Sequence, residues 1–166
     1  MEGLAAWFAA HLGKYISAKA VVFLVSLMPI LECRGGLIVA SLLNVDIVEA
    51  IPICVIGNFL PIPFILLFIK KIFKWLEKFE PTKKVVRKLE SRAMNKSDAL
   101  EKGEFLGLML FVGIPLPGTG AWTGSLIAAL LEMDIKKAVI AELCGIAIAT
   151  VIMSIVSYGL LGAIVS

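Results

Sequence analysis

The hydrophobic residues of this chain form long apolar segments, and two of these are long enough to cross a lipid bilayer. A membrane-spanning helix needs about 20 apolar residues. The sequence supplies them from about Ala50 to Ile69 and from about Ala138 to Val165. We therefore predict two transmembrane helices, one in each half of the chain.

Two other apolar segments are interrupted in the middle by turn-forming residues. The first runs from Ala18 to Val45 and is broken by PILECRGG; the second runs from Phe105 to Met133 and is broken by PLPGTGAWTG. Each arm has about ten residues and extends about 15 Å, half the thickness of the hydrocarbon core. We interpret both segments as re-entrant hairpins. The alternative is a full-length helix kinked at Pro and Gly. Polar backbone inside a membrane must be covered by protein or water, so the two turns are expected to touch.

The sequence repeats with an offset of 88 positions, because residues 29–57 align without a gap with residues 117–145. Apolar composition alone would explain matching Leu and Ala, but not Pro, Gly and Asp in register. Each repeat then contains a hairpin, a turn with Asp and a crossing helix. Since a single crossing separates the copies, we predict an inverted repeat. The informative matches are Pro29 with Pro117, Gly36 with Gly124, Asp46 with Asp134 and Gly57 with Gly145.

The composition excludes an ordinary soluble domain. Hydrophobic residues make up 60% and charged residues 17%, against about 45–50% and about 25% in soluble domains. We predict one all-α integral membrane domain over residues 1–166, in a multi-pass protein of the plasma membrane. Its predicted parts are an interfacial amphipathic helix (1–17), repeat 1 (18–69), a basic linker (70–104) and repeat 2 (105–166).

The charged residues suggest an orientation. Residues 70–104 contain 11 of the 16 Lys and Arg, so the positive-inside rule places this linker in the cytoplasm. Lys14 and Lys19 would then lie outside, which counts against this orientation. Aromatic and apolar residues beside the linker lysines favour contact with anionic lipid over nucleic acid. Residues 2–17 have apolar side chains at helical spacing, including Trp7 and Phe8, as in a helix that lies in the headgroup region.

Glu32 and Arg34, in the turn of the first hairpin, are the strongest candidates for function. Charges inside a bilayer are costly, and those that persist usually serve a function. They follow Pro29 and precede Gly35 and Gly36, where a new half-helix begins. The free N–H groups at a helix start favour an anion, and the Arg34 guanidinium suits phosphate or carboxylate. The alternative is a structural Glu32–Arg34 ion pair that holds the two hairpins together.

The turn of the second hairpin supplies polar groups opposite the first. Its glycines leave the backbone open to close approach, its threonines supply hydroxyls, and Trp122 stands at the repeat position of Arg34. We predict a polar substrate-binding pocket between two half-helix starts, the plan of transporters with broken helices. The predicted binding residues are Arg34, Gly35, Gly36, Gly118, Thr119, Gly120, Trp122 and Thr123.

The remaining candidates are few. Glu142, in the last helix, is either a second proton-exchanging group beside Glu32 or a side chain that reaches the cytoplasmic boundary. The three cysteines lie apart without CxxC spacing, so neither a disulfide nor a zinc site is expected. We predict no metal and no cofactor. Enzymatic activity is not expected, because lipid phosphatases need catalytic histidines and the one histidine, His11, lies in the N-terminal helix.

The sequences PILECRGG and PLPGTGAWTG, each before a long apolar helix and separated by a basic linker, resemble the small multidrug export family, a relative of the DedA or VTT-domain superfamily. The resemblance implies two re-entrant hairpins in an inverted repeat. From DedA relatives it also implies proton-coupled movement of lipid phosphates such as undecaprenyl phosphate. The acidic and arginine residues of those relatives correspond to Glu32 and Arg34. A second arginine, expected in the second hairpin, is absent, and Trp122 stands there.

Three functions are open at this stage. The leading hypothesis is a transporter or flippase of an anionic amphiphile, in which Arg34 and the hairpin backbones bind a phosphate. Glu32, with Glu142, would exchange the proton. The first alternative is a proton-coupled exporter of cationic small molecules, with Glu32 as the binding carboxylate. The second is a non-transporting membrane assembly factor. The expected partners are membrane lipids, the anionic substrate and a second copy of the chain in a homodimer, without nucleic acid.

Overall fold

The computed structural model describes residues 17–94 and 103–160, and every regular element in these two ranges is helical. The all-α prediction is confirmed. The predicted interfacial helix lies almost entirely outside the described residues. The elements are α1 (Ala18–Leu27), α2 (Glu32–Leu42), α3 (Ile47–Phe59), α4 (Pro61–Leu76), α5 (Glu80–Met94), α6 (Glu104–Gly113), α7 (Ala121–Leu130) and α8 (Ile135–Ser154), followed by a π-helical segment (Ile155–Leu160).

Within residues 17–94 and 103–160, two stretches of helix are long and apolar enough to cross a membrane, as predicted. The first combines α3 and α4 and runs from Ile47 to Leu76, and the second runs from Ile135 to Gly159. Pro61 does not interrupt the first, because it is the first residue of α4, where a missing N–H is tolerated. The α3–α4 helix continues to Leu76, beyond the predicted end of the crossing at Ile69, and it stops just before Pro81.

Four short helices form the two broken segments. Helices α1, α2, α6 and α7 have 10 or 11 residues each, so each extends about 15–17 Å. Helix α1 packs on α2 and α3, whereas α6 packs on α8 and α7 packs on α4. Buried apolar residues form two clusters, one around each pair of short helices. The two pairs, α1–α2 and α6–α7, are called hairpin 1 and hairpin 2 below.

The main-chain conformation repeats with the same offset of 88 residues. Helices α2 and α7 both end in a turn in which one residue has positive φ, and the next residue donates its N–H to the carbonyl five positions earlier. An Asp side chain then caps the helix that follows, at Asp46 and Asp134. The turns are formed by Ala40, Asn44 and Val45 in the first repeat and by Ala128, Glu132 and Met133 in the second.

Two repeated glycines allow short helices to approach the long ones closely. A Cβ atom at Gly57 would lie 2.9 Å from Ser26 Cβ and 3.0 Å from the carbonyl oxygen of Phe23. A Cβ atom at Gly145 would lie 2.7 Å from the carbonyl oxygen of Met109. Gly57 therefore lets α1 pack against α3, and Gly145 lets α6 pack against α8.

Two exposed ion pairs connect the hairpins to the α3–α4 helix. Lys19 Nζ lies 2.8 Å from Glu49 Oε1, and Lys70 Nζ lies 2.7 Å from Glu132 Oε1. The Lys70 ammonium, by its hydrogen bond and its charge, holds the pKa of Glu132 below its usual value. Residues 49 and 70 are separated by 21 positions, which corresponds to about 32 Å of helix. The two ion pairs therefore lie at opposite ends of the α3–α4 helix.

Candidate functional site

The carboxylate of Glu32 caps the N-terminus of α7. Oε2 accepts a hydrogen bond from the backbone N–H of Ala121, and Oε1 accepts one from Trp122, both at 3.1 Å. Helix α7 begins after Gly120 and has no side-chain cap of its own. A negative group at the positive end of a helix dipole is favourable. Hairpin 1 thus supplies the cap for hairpin 2.

The backbone on both sides of this contact has an unusual conformation. Gly120 has φ of +135°, and a Cβ atom at this position would collide with the Glu32 carboxylate. Glu32 itself has φ of +52°, which is uncommon for a residue with a side chain. Such strain is found where the surrounding structure enforces it, often at functional sites. Because Gly120 has no side chain, the Glu32 carboxylate can approach the backbone there, as predicted for the glycines of this turn.

Arg34 binds the other end of the hairpin 2 turn. Its Nη1 donates to the carbonyl oxygen of Leu116 at 3.0 Å, and its Nη2 donates to those of Val112 at 3.1 Å and Ile114 at 3.3 Å. Nη2 also lies 3.3 Å from Thr119 Oγ1. Carbonyls at the C-terminal end of α6 lack helical partners and form the negative end of its dipole. Arg34 therefore stabilises the end of α6, as Glu32 stabilises the start of α7.

Glu32 and Arg34 form no ion pair with each other in the described structure, where each binds the backbone of hairpin 2. The alternative from the sequence, a structural ion pair between them, is therefore wrong in its pairing. The two side chains nevertheless hold the two hairpins together, as the ion pair was expected to do. Both are buried, with 4% and 7% of their surface exposed.

Two residues of this contact each carry a buried side-chain N–H donor that has no acceptor among residues 17–94 and 103–160. The donors are Nε of Arg34 and Nε1 of Trp122. Leaving a buried donor unpaired costs about 1–3 kcal/mol. Trp122 is the repeat counterpart of Arg34, so the two donors come from equivalent positions. Both are chemically suited to an oxygen acceptor such as a phosphate or carboxylate.

Glu142 on α8 lies against α7 and is fully buried. Its Oε2 is 2.9 Å from Ser125 Oγ, which is also 2.8 Å from the carbonyl oxygen of Ala121. A hydroxyl has one hydrogen, and a carbonyl oxygen can only accept. Ser125 can therefore donate to the carbonyl oxygen of Ala121, to Oε2 of Glu142, or share its hydrogen between the two acceptors. The alternative that Glu142 extends to the cytoplasmic boundary is wrong, because no part of it is exposed.

The structure brings Arg34, Thr119, Gly120 and Trp122 of the predicted binding set together with Glu32, the predicted proton-exchanging residue. The other members lie elsewhere. A Cβ at Gly36 would collide with Ser26 and Cys54 on neighbouring helices, so Gly36 serves helix packing, and a Cβ at Gly35 would press on Leu31 at the start of the same helix. Thr123 is half-buried on α7, and Gly118 is exposed in the turn with φ of +76°.

Two residues of the site were not placed there by the sequence. Ser125 contacts Glu142 only because α7 packs against α8. The corresponding position of repeat 1 gives no indication of this contact. Asn58 is 1% exposed and lies within interaction range of the Glu32 carboxylate. The sequence feature that could have indicated Asn58 is its position as a polar residue next to Gly57, where two helices are in contact.

Comparison with known proteins identifies the family. Residues 32–152 match the family profile described as "Putative small multi-drug export protein". The chain belongs to the small multi-drug export family. The match begins at Glu32 and includes Arg34, the turn of hairpin 2 and Glu142, so the resemblance to the small multidrug export family is confirmed. No curated protein and no solved structure matches the chain. Membership in a small multi-drug export family and two sufficiently long apolar helices together indicate a membrane protein.

Proposed function

We propose that this protein is an ion-coupled transporter or flippase that moves an anionic amphiphile, most simply a lipid phosphate. The observation that supports it is the buried Glu32 carboxylate at the start of α7, beside Arg34. The protein's own carboxylate occupies a position that favours an anion. A phosphate oxygen can accept the same N–H groups. The relation to the DedA superfamily, and undecaprenyl phosphate as a substrate, belong to this proposal.

The proposed membrane arrangement has the two hairpins entering from opposite faces. Lys19–Glu49 joins the open end of hairpin 1 to one end of the α3–α4 helix, and Lys70–Glu132 joins the open end of hairpin 2 to the other. The separation of about 32 Å along this helix is close to the thickness of the hydrocarbon core. The two turns meet between these ends, where Glu32 contacts Trp122. These observations support an inverted repeat of re-entrant hairpins.

The proposed orientation follows from the basic residues. With residues 70–104 in the cytoplasm of a plasma-membrane protein, Lys70 and Glu132 face the cytoplasm and Lys19 and Glu49 face outside. The start of α8 agrees, since Lys136 and Lys137 follow Asp134 there, whereas Val48 and Glu49 follow Asp46. The copy that turns on the proposed cytoplasmic side has the cations.

The proposed mechanism is an exchange of anions at the start of α7. An incoming phosphate binds Nε of Arg34 and Nε1 of Trp122, and it then replaces Glu32 on the N–H groups of Ala121 and Trp122. A displaced carboxylate in an apolar site is costly while charged, so Glu32 takes up a proton. The negative charge at the site stays constant, and substrate entry is coupled to proton uptake.

Glu142 is the second proposed proton-exchanging group. Glu32 binds the N–H of Ala121, and Ser125 lies between the carbonyl of Ala121 and Glu142. A movement of the first turn of α7 therefore changes the contacts of both carboxyl groups. In this proposal Glu142 holds its proton in the described state and releases it when α7 moves.

Lipid-resolved mass spectrometry of the purified protein tests the binding step. The wild type is expected to retain phosphate-containing lipid, and Arg34→Ala is expected to lose it. Arg87→Ala is the control for loss of an arginine charge from the linker surface, because Arg87 is exposed on α5. Trp122→Phe removes the indole N–H while keeping an aromatic side chain, and it is expected to weaken binding about tenfold, the effect of about 1.4 kcal/mol.

The outcome of Trp122→Phe matters because Arg34 also supports hairpin 2. If Arg34→Ala fails to fold, Trp122→Phe still measures binding in a chain that keeps Glu32 and Arg34. Phosphate lipid retained at wild-type levels by both folded variants would contradict the proposal.

A second candidate is export of cationic compounds, for which the family description is the supporting observation. Glu32 would be the binding carboxylate and Arg34 would be dispensable. The geometry favours it less, because both Glu32 oxygens accept backbone N–H groups and an arginine lies two residues away. Glu32→Gln should then abolish drug resistance while Arg34→Ala retains it.

A third candidate is a membrane assembly factor without transport. It is favoured by the hydrogen bonds of Glu32 and Arg34, which link the two hairpins. The double variant Glu32→Gln/Arg34→Met should then retain the full phenotype whenever it folds. Loss of the phenotype in a folded double variant would exclude this role.

A further inference from the structure

Three hydroxyl groups near the end of the last crossing helix are buried without a hydrogen-bond partner among the described residues. They belong to Thr150, Ser154 and Ser157, which are 4%, 8% and 0% exposed. Their spacing of four and three residues places them on one face of the helix. Helix α2 packs on α8 and on the π-helical segment, and Ser41 Oγ donates to the carbonyl oxygen of Ser157.

Other buried hydroxyls in the same chain behave differently. Ser26 Oγ donates to the carbonyl oxygen of Val22, and Ser125 Oγ lies equally close to that of Ala121, both at 2.8 Å. This bond to the residue four positions earlier is the usual way to satisfy a hydroxyl inside an apolar helix. Thr150, Ser154 and Ser157 do not make it. The start of a π-helix at Ile155 is a further departure from regular helix, of a kind frequent at functional sites.

The three hydroxyls extend from the candidate site to the open end of hairpin 1. Thr150 lies within interaction range of Cys33, the neighbour of Glu32, and so does Asn58. Asn58 Oδ1 is also buried without a partner among the described residues. At the other end, Tyr158 donates its hydroxyl to the carbonyl oxygen of Val45, between α2 and α3, at 2.8 Å. Seven residues of helix separate Thr150 from Ser157, about 10 Å.

Toward the other end of α8 the buried face is apolar. Between Glu142 and Thr150, its buried residues are Gly145, Ile146 and Ala149. No polar side chain on this face connects Thr150 with Glu142. The row of hydroxyls is therefore continuous with the Glu32 side of the site and separated from Glu142 by two turns of apolar helix.

We propose that Thr150, Ser154 and Ser157, with Asn58, line a narrow path that water enters from the open end of hairpin 1 to reach Glu32. Water satisfies buried hydroxyls that protein groups leave unpaired, at little entropic cost. Such a path brings protons to Glu32 from one face of the membrane only. That part of the inference rests on the proposed function, whose orientation places the mouth of the path outside the cell.

Cysteine accessibility tests the path. In a chain whose native Cys33, Cys54 and Cys144 are replaced by alanine, single cysteines are introduced at Ser154 or Ser157. A small, membrane-impermeant thiosulfonate is added to the outside of intact cells. Thiols react as thiolates, which form only in contact with water.

Two control positions on the same helix separate water from lipid and from dry protein. Val151→Cys faces the membrane, since Val151 is 61% exposed, and Ile146→Cys lies in the apolar stretch with 0% exposure. Ser154→Cys and Ser157→Cys are expected to react at least about tenfold faster than both controls. Rates equal to that of Ile146→Cys would overturn the path. Reaction only from the cytoplasmic face would keep the path and overturn its orientation.

A measurement on the native chain covers the case in which a cysteine variant does not fold. Brief X-ray radiolysis oxidises side chains next to bound water. Met153 is 8% exposed and adjoins Ser154, whereas Met109 is half-buried toward the membrane. Met153 is expected to be oxidised faster than Met109 despite its greater burial. The reverse order would contradict the path.

The experiments can exclude the water path and the proposed lipid binding independently of each other. Neither labelling nor radiolysis depends on a bound anion, so a dry Ser154 would exclude the path and leave lipid binding by Arg34 intact. Loss of lipid binding would, in turn, leave the labelling pattern unchanged.

Discussion

The carboxylate of Glu32 lies 3.1 Å from the backbone nitrogen of Trp122, 90 positions further along the chain. The repeat positions of the acid and the arginine of hairpin 1 are a glycine and a tryptophan in hairpin 2. An unchanged second copy would bring carboxylate against carboxylate at the contact. The two copies are instead complementary, because one supplies the charges and the other supplies the helix ends that the charges stabilise.

Gly120→Ala is expected to destabilise the protein by about 2–4 kcal/mol, from a strained positive φ and loss of the α7 cap. The added methyl group would collide with the Glu32 carboxylate. Gly103→Ala is the matched control, because Gly103 also has positive φ, at +142°, but nothing lies within 4 Å of its Cβ position. Thermal unfolding in detergent compares the two. Equal losses would mean that the contact with Glu32 is unimportant. The double variant Glu32→Ala/Gly120→Ala should lose less than the sum of its single changes.

Glu142→Gln is expected to leave the fold intact, because the amide can donate to Ser125 as a protonated carboxyl group can. Transport by this variant should lose its dependence on the pH gradient. Glu142→Ala, which leaves Ser125 without this partner and opens a cavity, is expected to be less stable than Glu142→Gln. Measured unfolding midpoints rank the three chains. Wild-type pH dependence in Glu142→Gln would remove Glu142 from the proton path.

The proposed inverted arrangement predicts labelling from opposite sides of the membrane. In the chain without native cysteines, Glu49→Cys should react with an impermeant maleimide from outside, and Glu132→Cys only after the cytoplasmic face is opened. Both residues belong to exposed ion pairs, so the substitutions should have little effect on stability. Reaction of both cysteines from the same side would rule out the inverted repeat.

The Lys70–Glu132 pair makes a prediction about pH. A carboxyl group whose pKa is lowered by folding contributes stability above its usual pKa and loses it as the pH falls through the lowered value. Lys70→Ala should raise the pKa of Glu132 toward its usual value, since Lys70 is the cause of the shift. The carbon-13 shift of the Glu132 carboxyl group, followed through a pH titration, measures this. Because the ion pair is exposed and screened, Lys70→Ala should not change the unfolding midpoint at neutral pH. A Glu132 pKa that is the same in Lys70→Ala and in the wild type would mean that the ion pair does not form.

The sequence was informative where local rules determine structure. The turn residues of PILECRGG and PLPGTGAWTG interrupt apolar runs, and the structure has helix ends at both. Asp46 and Asp134, predicted to lie in matching turns, cap α3 and α8. The boundary after Ile69 was placed too early because the charges of the linker were taken as its start. Lysines are good helix formers, and the helix continues until the turn before Pro81.

The site depended on contacts that no local rule determines. Glu32 and Arg34 were recognised as charges in a membrane segment, but their partners, Ala121 and Leu116, are more than 80 positions away. An ion pair between neighbours was the simplest expectation, and tertiary packing replaced it with two helix caps. The burial of Glu142 could not be predicted from the sequence either, because it depends on α7 covering one face of α8. The homodimer, the lipid partners and the absence of a cofactor stay predictions.

A transport assay in proteoliposomes tests most directly whether the protein moves a lipid phosphate from one leaflet to the other. A short-chain fluorescent phosphatidic acid and its phosphatidylcholine analogue are placed in one leaflet, a pH gradient is applied, and the fraction that reaches the other leaflet is followed by dithionite quenching. Wild-type protein is expected to accelerate movement of phosphatidic acid but not of phosphatidylcholine, and Arg34→Ala and Trp122→Phe to slow it. No acceleration of phosphatidic acid by folded wild-type protein, or equal rates for the two lipids, would contradict the proposed function.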